Sequence, residues 1–302
     1  MIFRGTLCLS AVLIAGAFSA VAAPIGTSPG PSARYATDAY PGFDNESEIV
    51  KPSRKSPKWF SWINGPSEAT PAGQLAYALA CERDGSWRAA RKGYDALVRE
   101  WPTSPEAPAA QKALADLYLG HELDYEQAFD EYRYLLDFYS SSCDYDAIAG
   151  LMFKCAELMR EEGKKVMFFR FANTVDVRRA YEALVLRAPG ASFTPGALLT
   201  IAGLREDEGK SATAVTVYEN LRNLHPGSPE ARTACYRESK ARMQVIRECE
   251  YNRDRIQDTV DFLKVMLASK ALTAEEAEEV AGWRDEAMGM IEDEAFRAAA
   301  FY

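Results

Sequence analysis

The stretch ARKGYDALVREWP, from Ala90 to Pro102, decides the fold, because the chain returns to its pattern three more times. Ala90, Tyr94, Leu97 and Pro102 stand at successive offsets of four, three and five residues. Ala214, Tyr218, Leu221 and Pro226 keep the same offsets, and so do Val177, Tyr181, Leu184 and Pro189, with valine for the alanine. Ala128, Tyr132 and Leu135 follow the rule until Ser140 takes the place of proline. Self-similarity at a fixed period is the signature of a repeat array, in which each unit buries its apolar face against its neighbours.

Helix geometry explains the spacing. Offsets of three and four place the small residue, the tyrosine and the leucine on one face, where the small residue lets a partner helix come close and the larger side chains fill the groove beside it. Proline then ends the helix. After two of these prolines the chain reads PTSPEA at Pro102 and PGSPEA at Pro226, so Ser104 and Ser228 are expected as N-caps with Pro105 and Pro229 in the first turn. Glycines expected to close the first helix of each repeat are Gly85, Gly120, Gly163 and Gly209. The unit is therefore helix, turn, helix.

Anchor positions 90, 128, 177 and 214 are separated by 38, 49 and 37 residues, slightly more than the roughly 34 residues of a tetratricopeptide repeat whose pattern they share. The long interval carries KKVMFFRFA, Lys164 to Ala172, and predicts a longer connection in the third repeat. Its Phe168 and Phe169 either pack on their own repeat or meet a partner. Beyond Pro226, residues 229–251 and 253–269 read as the two helices of a degenerate fifth repeat. Thr273 with Glu276 is a capping box opening a last helix. From Thr273 onward there are nine acids and two arginines, the polar outer face that the end of a solenoid needs.

Upstream of the array the character changes. Arg4, an apolar run from Leu7 to Phe18, and Ala20-Val21-Ala22 together read as a cleaved secretory signal peptide over residues 1–22. The apolar run is shorter than the roughly 20 residues that span a bilayer. Cys8 sits in TLC without the small residue that precedes a lipidated cysteine. Residues 23–72 hold eight of the 15 prolines and show no helical period, which reads as a disordered linker. Inside it Lys51, Arg54, Lys55 and Lys58 precede Trp59, Phe60 and Trp62. These rings either fold back on the first helices or dock a partner.

The expected organisation is an all-α tetratricopeptide solenoid of about five helix pairs over 73–270, followed by a capping helix over 271–302.

Composition narrows function. With 35 Lys plus Arg against 44 Asp plus Glu in 302 residues, the net charge is −9, and a generic nucleic-acid footprint is absent. The two histidines, His121 and His225, fall in predicted turns. No phosphate-cradling glycine loop, nucleophile elbow or metal-ligand spacing occurs, so no catalytic, cofactor or metal residue is expected. Glu161-Glu162 and Glu206-Asp207-Glu208 read as solvated charge near helix ends. Five cysteines follow the signal segment without a CxxC pair; four fall in helical patterns and read as buried thiols, with Cys143 in a loop, although the spacing also allows one or two disulfides. First-helix residues face the groove of such an array, which makes Tyr77, Cys81, Leu114 and Tyr118 candidates for partner contact or for plain core.

An exported chain, a proline-rich tether, long repeats of the A-x-x-x-Y-x-x-L-x-x-x-x-P kind and an FF-containing insertion in the third repeat resemble the BamD-like outer-membrane assembly lipoproteins over roughly residues 73 to 270. That resemblance implies a periplasmic scaffold at the outer membrane, touching the barrel insertase and unfolded outer-membrane proteins. The chain departs from the family in lacking the lipidated cysteine. Cell-envelope coordinators of the YbgF kind and pilus-assembly proteins use similar units, so a self-associating envelope protein is the alternative expectation.

Overall fold

The computed structural model describes residues 40, 41, 43, 65–165, 170–248 and 252–301, with side chains placed for all of these except 163–165, 170–173, 294 and 297–301. The expected signal segment, residues 1–22, and Trp59, Phe60, Trp62, Phe168, Phe169 and Cys249 lie outside the described residues.

Eleven α-helices follow one another, and the described residues contain no strand. They are α1 (Pro71–Arg83), α2 (Trp87–Glu100), α3 (Ala107–Leu117), α4 (Tyr125–Tyr139), α5 (Tyr145–Lys165), α6 (Arg170–Arg187), α7 (Thr194–Asp207), α8 (Ser211–Leu224), α9 (Pro229–Glu248), α10 (Arg253–Ala268) and α11 (Ala274–Phe301). Each helix packs chiefly on the next in the chain, the nearest-neighbour pattern of a helix-pair array. Pairs α1–α2, α3–α4, α5–α6 and α7–α8 are the four repeats read from the sequence, α9–α10 is the fifth, and α11 closes the series.

All twelve apolar repeat positions are buried: Ala90, Tyr94, Leu97, Ala128, Tyr132, Leu135, Val177, Tyr181, Leu184, Ala214, Tyr218 and Leu221. The second helices end three residues beyond the repeat leucine, at Glu100, Arg187 and Leu224, two residues ahead of Pro102, Pro189 and Pro226. In the repeat carrying Ser140, α4 runs one residue further and finishes in a 3₁₀ turn, Ser140–Ser142, because the stopping ring is missing.

Close approach inside the first pair depends on glycine. A Cβ on Gly93 would sit 2.9 Å from Ala78 Cβ and 3.3 Å from its Cα. Two helix stops also match expectation. Gly85 and Gly209 take φ of 73° and 72°, and the amides of Ser86 and Lys210 donate back to the Cys81 and Arg205 carbonyls at 2.8 Å. Left-handed backbone of this kind suits a residue with no Cβ.

Four local expectations are corrected. Gly120 does not end its helix: α3 continues into a π turn, Tyr118–Glu122, and the left-handed residue is Leu123, φ 55°. Gly163 lies within α5, which reaches Lys165, and α6 begins at Arg170, so five of the nine residues of KKVMFFRFA are helical, while residues 166–169 lie outside the described residues. Ser228 Oγ accepts from the Ala231 amide at 3.1 Å as an N-cap should, but Ser104 caps nothing and α3 starts two residues after Pro105. The first helix begins at Pro71, inside the expected linker, with Thr70 Oγ1 capping the Gly73 amide.

At the far end, the capping box forms in both directions: Thr273 N donates to Glu276 Oε2 at 2.8 Å, and Glu276 N donates to Thr273 Oγ1 at 3.2 Å. Cys81, Cys143, Cys155 and Cys235 are free thiols, and burial pushes Cys155 up to about 12.

Candidate protein-binding surface

The interior of the array is built by a rule that the apolar pattern does not show. Each repeat tyrosine donates its hydroxyl to a carboxylate on the first helix of its own pair. Tyr94 donates to Glu82 and Tyr132 to Asp116, both at 2.5 Å, Tyr181 donates to Glu157, and Tyr218 donates to Glu206 at 3.0 Å. Burial, with these carboxylates close by, raises the pKa of all four phenols. A second device recurs in the first two repeats, where buried Gln74 and Gln111 donate to the carbonyls of Gly93 and Glu131, each one residue before the repeat tyrosine. Gln74 Oε1 also accepts from the amides of Ser67 and Glu68, which fastens the entering chain to α1.

Between repeats three and four lies a buried charge cluster. Arg178 on α6 donates to Glu182 and to Glu208, both at 2.7 Å, and Arg205 on α7 reaches Glu182 at 3.1 Å and Glu208 at 3.4 Å. Burial opposes the charge on Arg178, yet the bonds to Glu208 and Glu182 prevail and its pKa rises. Glu206 and Glu208 are thus structural members of the interior, not the solvated charges their sequence suggested. Repeats two and three are joined by Arg187, which grips both carboxylate oxygens of Asp137 at 2.8 and 2.7 Å, while the Tyr145 hydroxyl covers the Arg187 carbonyl at 3.0 Å. A bidentate pair of this kind fixes the angle between units as well as their spacing.

The candidate contact residues separate into three groups. Leu114 is core and Cys81 packs against that core, so neither is a free contact. Tyr77 lines a cleft of about 150 Å³ along α1 and α2, beside Gly65, Gln74, Lys92 and Arg99. Tyr118 is half-buried, packed against the core on one side and joined on the other to a partly exposed cluster at the π turn. The ring of His121 stacks on Trp87, centroids 3.6 Å apart and 17° between planes. One turn along α2 from Trp87, Arg91 places its Nε 3.0 Å from Glu122, donates to the Tyr118 hydroxyl at 3.3 Å and lies 5.7 Å above the Tyr118 ring. Leu123 beside it is 56% exposed.

Trp, Tyr and Arg are the residue types that dominate binding energy at protein interfaces, and π turns and left-handed non-glycine residues concentrate at functional positions. Of this cluster the sequence reading named Tyr118 as a candidate contact and placed His121 in a turn; Trp87, Arg91 and Leu123 were missed. The available signal was the GHEL turn itself, whose glycine falls too early to close the helix. His225, also expected in a turn, caps the end of α8 and is half-buried.

Among the described residues no group of three or more His, Cys, Asp and Glu could hold a metal ion, and no helix is long and apolar enough to cross a membrane.

No family model matches the chain, and no curated protein matches it. Solved structures do. A tetratricopeptide repeat protein from Parabacteroides merdae is similar over 74% of this chain and 78% of its own, at 14% identity and a TM-score of 0.32. The MamA protein is similar over 70% and 94%, at 12% identity and a TM-score of 0.31. PilF of Pseudomonas aeruginosa is similar over 76% and 97%, at 16% identity and a TM-score of 0.26. At such scores the helix-pair assignment rests on the repeat geometry of this chain itself.

Proposed function

We propose that this chain is a non-catalytic protein-protein interaction scaffold, exported to the periplasm and serving outer-membrane protein assembly in a BamD-like role. The observation that carries the scaffold reading is the pairing of a rigid repeat interior with the partly exposed Trp87-Arg91-Tyr118-His121 cluster. The four repeat tyrosines, their carboxylate partners and the two buried glutamines are spent on holding the pairs in register, which leaves a shaped surface with preset aromatic anchors. The envelope role is supported by the signal-like N-terminus, the tether and the repeat pattern. The test is affinity capture of the exported protein from its native envelope, probing for the barrel insertase and for unfolded outer-membrane proteins. Trp87→Ala should reduce capture at least ten-fold while leaving the thermal midpoint within a few degrees. Insertase absent from the wild-type capture would defeat the outer-membrane reading.

One observation favours self-association as a second reading. The last helix, expected to present an acidic end, also exposes Phe296 at 75% and Met288 at 39%. Capture of further copies, abolished by Phe296→Asp, would select it.

A further inference from the structure

Within the segment read from sequence as a tether, Tyr40, Pro41 and Phe43 are among the described residues. Phe43 N donates to the Tyr40 carbonyl at 3.3 Å, the closing bond of a four-residue turn, and the two rings stack with centroids 5.1 Å apart and planes 13° from parallel. The sequence between them is Pro41-Gly42, the pair that a tight turn favours at its two central positions. Tyr40 is 6% exposed and Phe43 7%. A turn of four residues cannot cover two aromatic rings by itself: stacking hides one face of each, and the other face and the edges must be covered by something else. Both rings belong to the contiguous apolar core that runs through repeats two to four. The backbone is held as well, because Asn220 on α8 donates from its side-chain amide to the Pro41 carbonyl at 3.0 Å across 179 residues of sequence.

We infer that the array carries a peptide-binding site, marked by Asn220, that recognises an aromatic-Pro-Gly-aromatic turn, and that Tyr40-Pro41-Gly42-Phe43 is its built-in ligand. Recognition uses two elements: burial of the paired rings in the apolar core, and one side-chain donor, Asn220, aimed at the Pro41 carbonyl. The Pro-Gly turn is preorganised, so little conformational freedom is lost on seating. A ligand on the same chain competes at an effective concentration on the order of 1 mM. The site is therefore closed to the same motif from another molecule until the segment leaves, which makes it an autoinhibitory contact. The inference does not depend on which partner the array serves, and failure of the envelope capture would leave it standing.

The test uses the full chain and a fluorescein-labelled peptide spanning Thr37 to Glu48, TDAYPGFDNESE. In the Tyr40→Ala/Phe43→Ala variant the site is vacant, and fluorescence anisotropy should show binding. If the peptide binds with a dissociation constant of about 100 µM, the resident segment should weaken binding to wild type about ten-fold. Adding Asn220→Ala to the vacant variant should weaken binding again, and a peptide with both aromatics replaced by alanine should not bind. Equal binding to wild type and vacant variant, or none to the vacant variant up to millimolar peptide, overturns the proposal. Should the double variant fail to fold by circular dichroism, a protease site inserted after Val50 of wild type replaces it. The cleaved N-terminal piece should then co-elute with the array and be displaced by excess peptide. Immediate separation without peptide capture overturns the proposal by this route as well.

Discussion

Gly93 shows how little space one atom has in the first pair. Alanine there would gain about 1 kcal/mol of helix propensity, but its Cβ would press on Ala78 at 2.9 Å, and overpacking of this kind costs about 1–3 kcal/mol. Gly93→Ala should therefore lower stability in urea unfolding. Gly150, within α5, has nothing within 4 Å of a built Cβ, and Gly150→Ala should raise stability by about 0.5–1 kcal/mol. Cys155 gives a second check at this scale: fully buried, with its thiol held at about 12, it should remain unmodified by iodoacetamide at pH 8 in the native protein, as read by peptide mass spectrometry, and react on denaturation. Sequence carried the tyrosines clearly because a helix face repeats in sequence. Their carboxylate partners were hidden, since Glu82, Asp116, Glu157 and Glu206 precede their tyrosines by 12, 16, 24 and 12 residues and no fixed offset advertises them.

At the level of the helix, the ends of three second helices were legible to within two residues, because Pro102, Pro189 and Pro226 mark them. First helices were less so. Gly120 and Gly163 were expected to stop chains that run on, for a stop requires the left-handed residue to fall where the helix face also runs out, and at Leu123 a non-glycine residue takes that conformation. Lys164 and Lys165 of the KKVMFFRFA insertion belong to α5 and its last three residues to α6, and none of these five is a proline or glycine that would end a helix. The charge cluster between α6 and α7 was invisible for a different reason. Arg178, Glu182, Arg205 and Glu208 look like ordinary surface charges in sequence, and only the packing of α6 on α7 encloses them. Glu182→Ala would leave two buried guanidinium groups sharing fewer carboxylates. It should cost about 3–5 kcal/mol, seen as a drop in denaturation midpoint, because breaking a buried ion network strands charge in a poor solvent for it.

Across the whole molecule the raised phenols set an alkaline limit. In the unfolded chain a tyrosine ionises near pH 10, while Tyr94, Tyr132, Tyr181 and Tyr218 hold their protons to higher pH when folded. A raised folded pKa contributes stability that is complete below pH 10 and is lost as pH climbs through the folded values. Tyrosinate absorbance at 295 nm and loss of helical circular dichroism should therefore rise together above about pH 10. Tyr218→Phe, removing one titrating group, should shallow the slope.

The molecule also has a seam. Helix α9 serves two separate apolar cores: Ala234 and Ala241 belong to the one shared with repeats two to four, whereas Met243 and Ile246 join Ile256, Val260 and Leu263 of α10 and Val280 and Ala287 of α11 in another. Glu238 of α9, salt-bridged to Arg222 and Arg242, and Phe262 of α10, lying under both guanidinium groups, rivet the junction. A chain cut after Glu248 would keep the first core intact and leave Met243 and Ile246 bare to water. It should elute as dimers or larger species in size-exclusion chromatography, while the intact chain keeps these side chains covered. The stack thus has a removable lid, and its length is a matter of what closes a single greasy stripe.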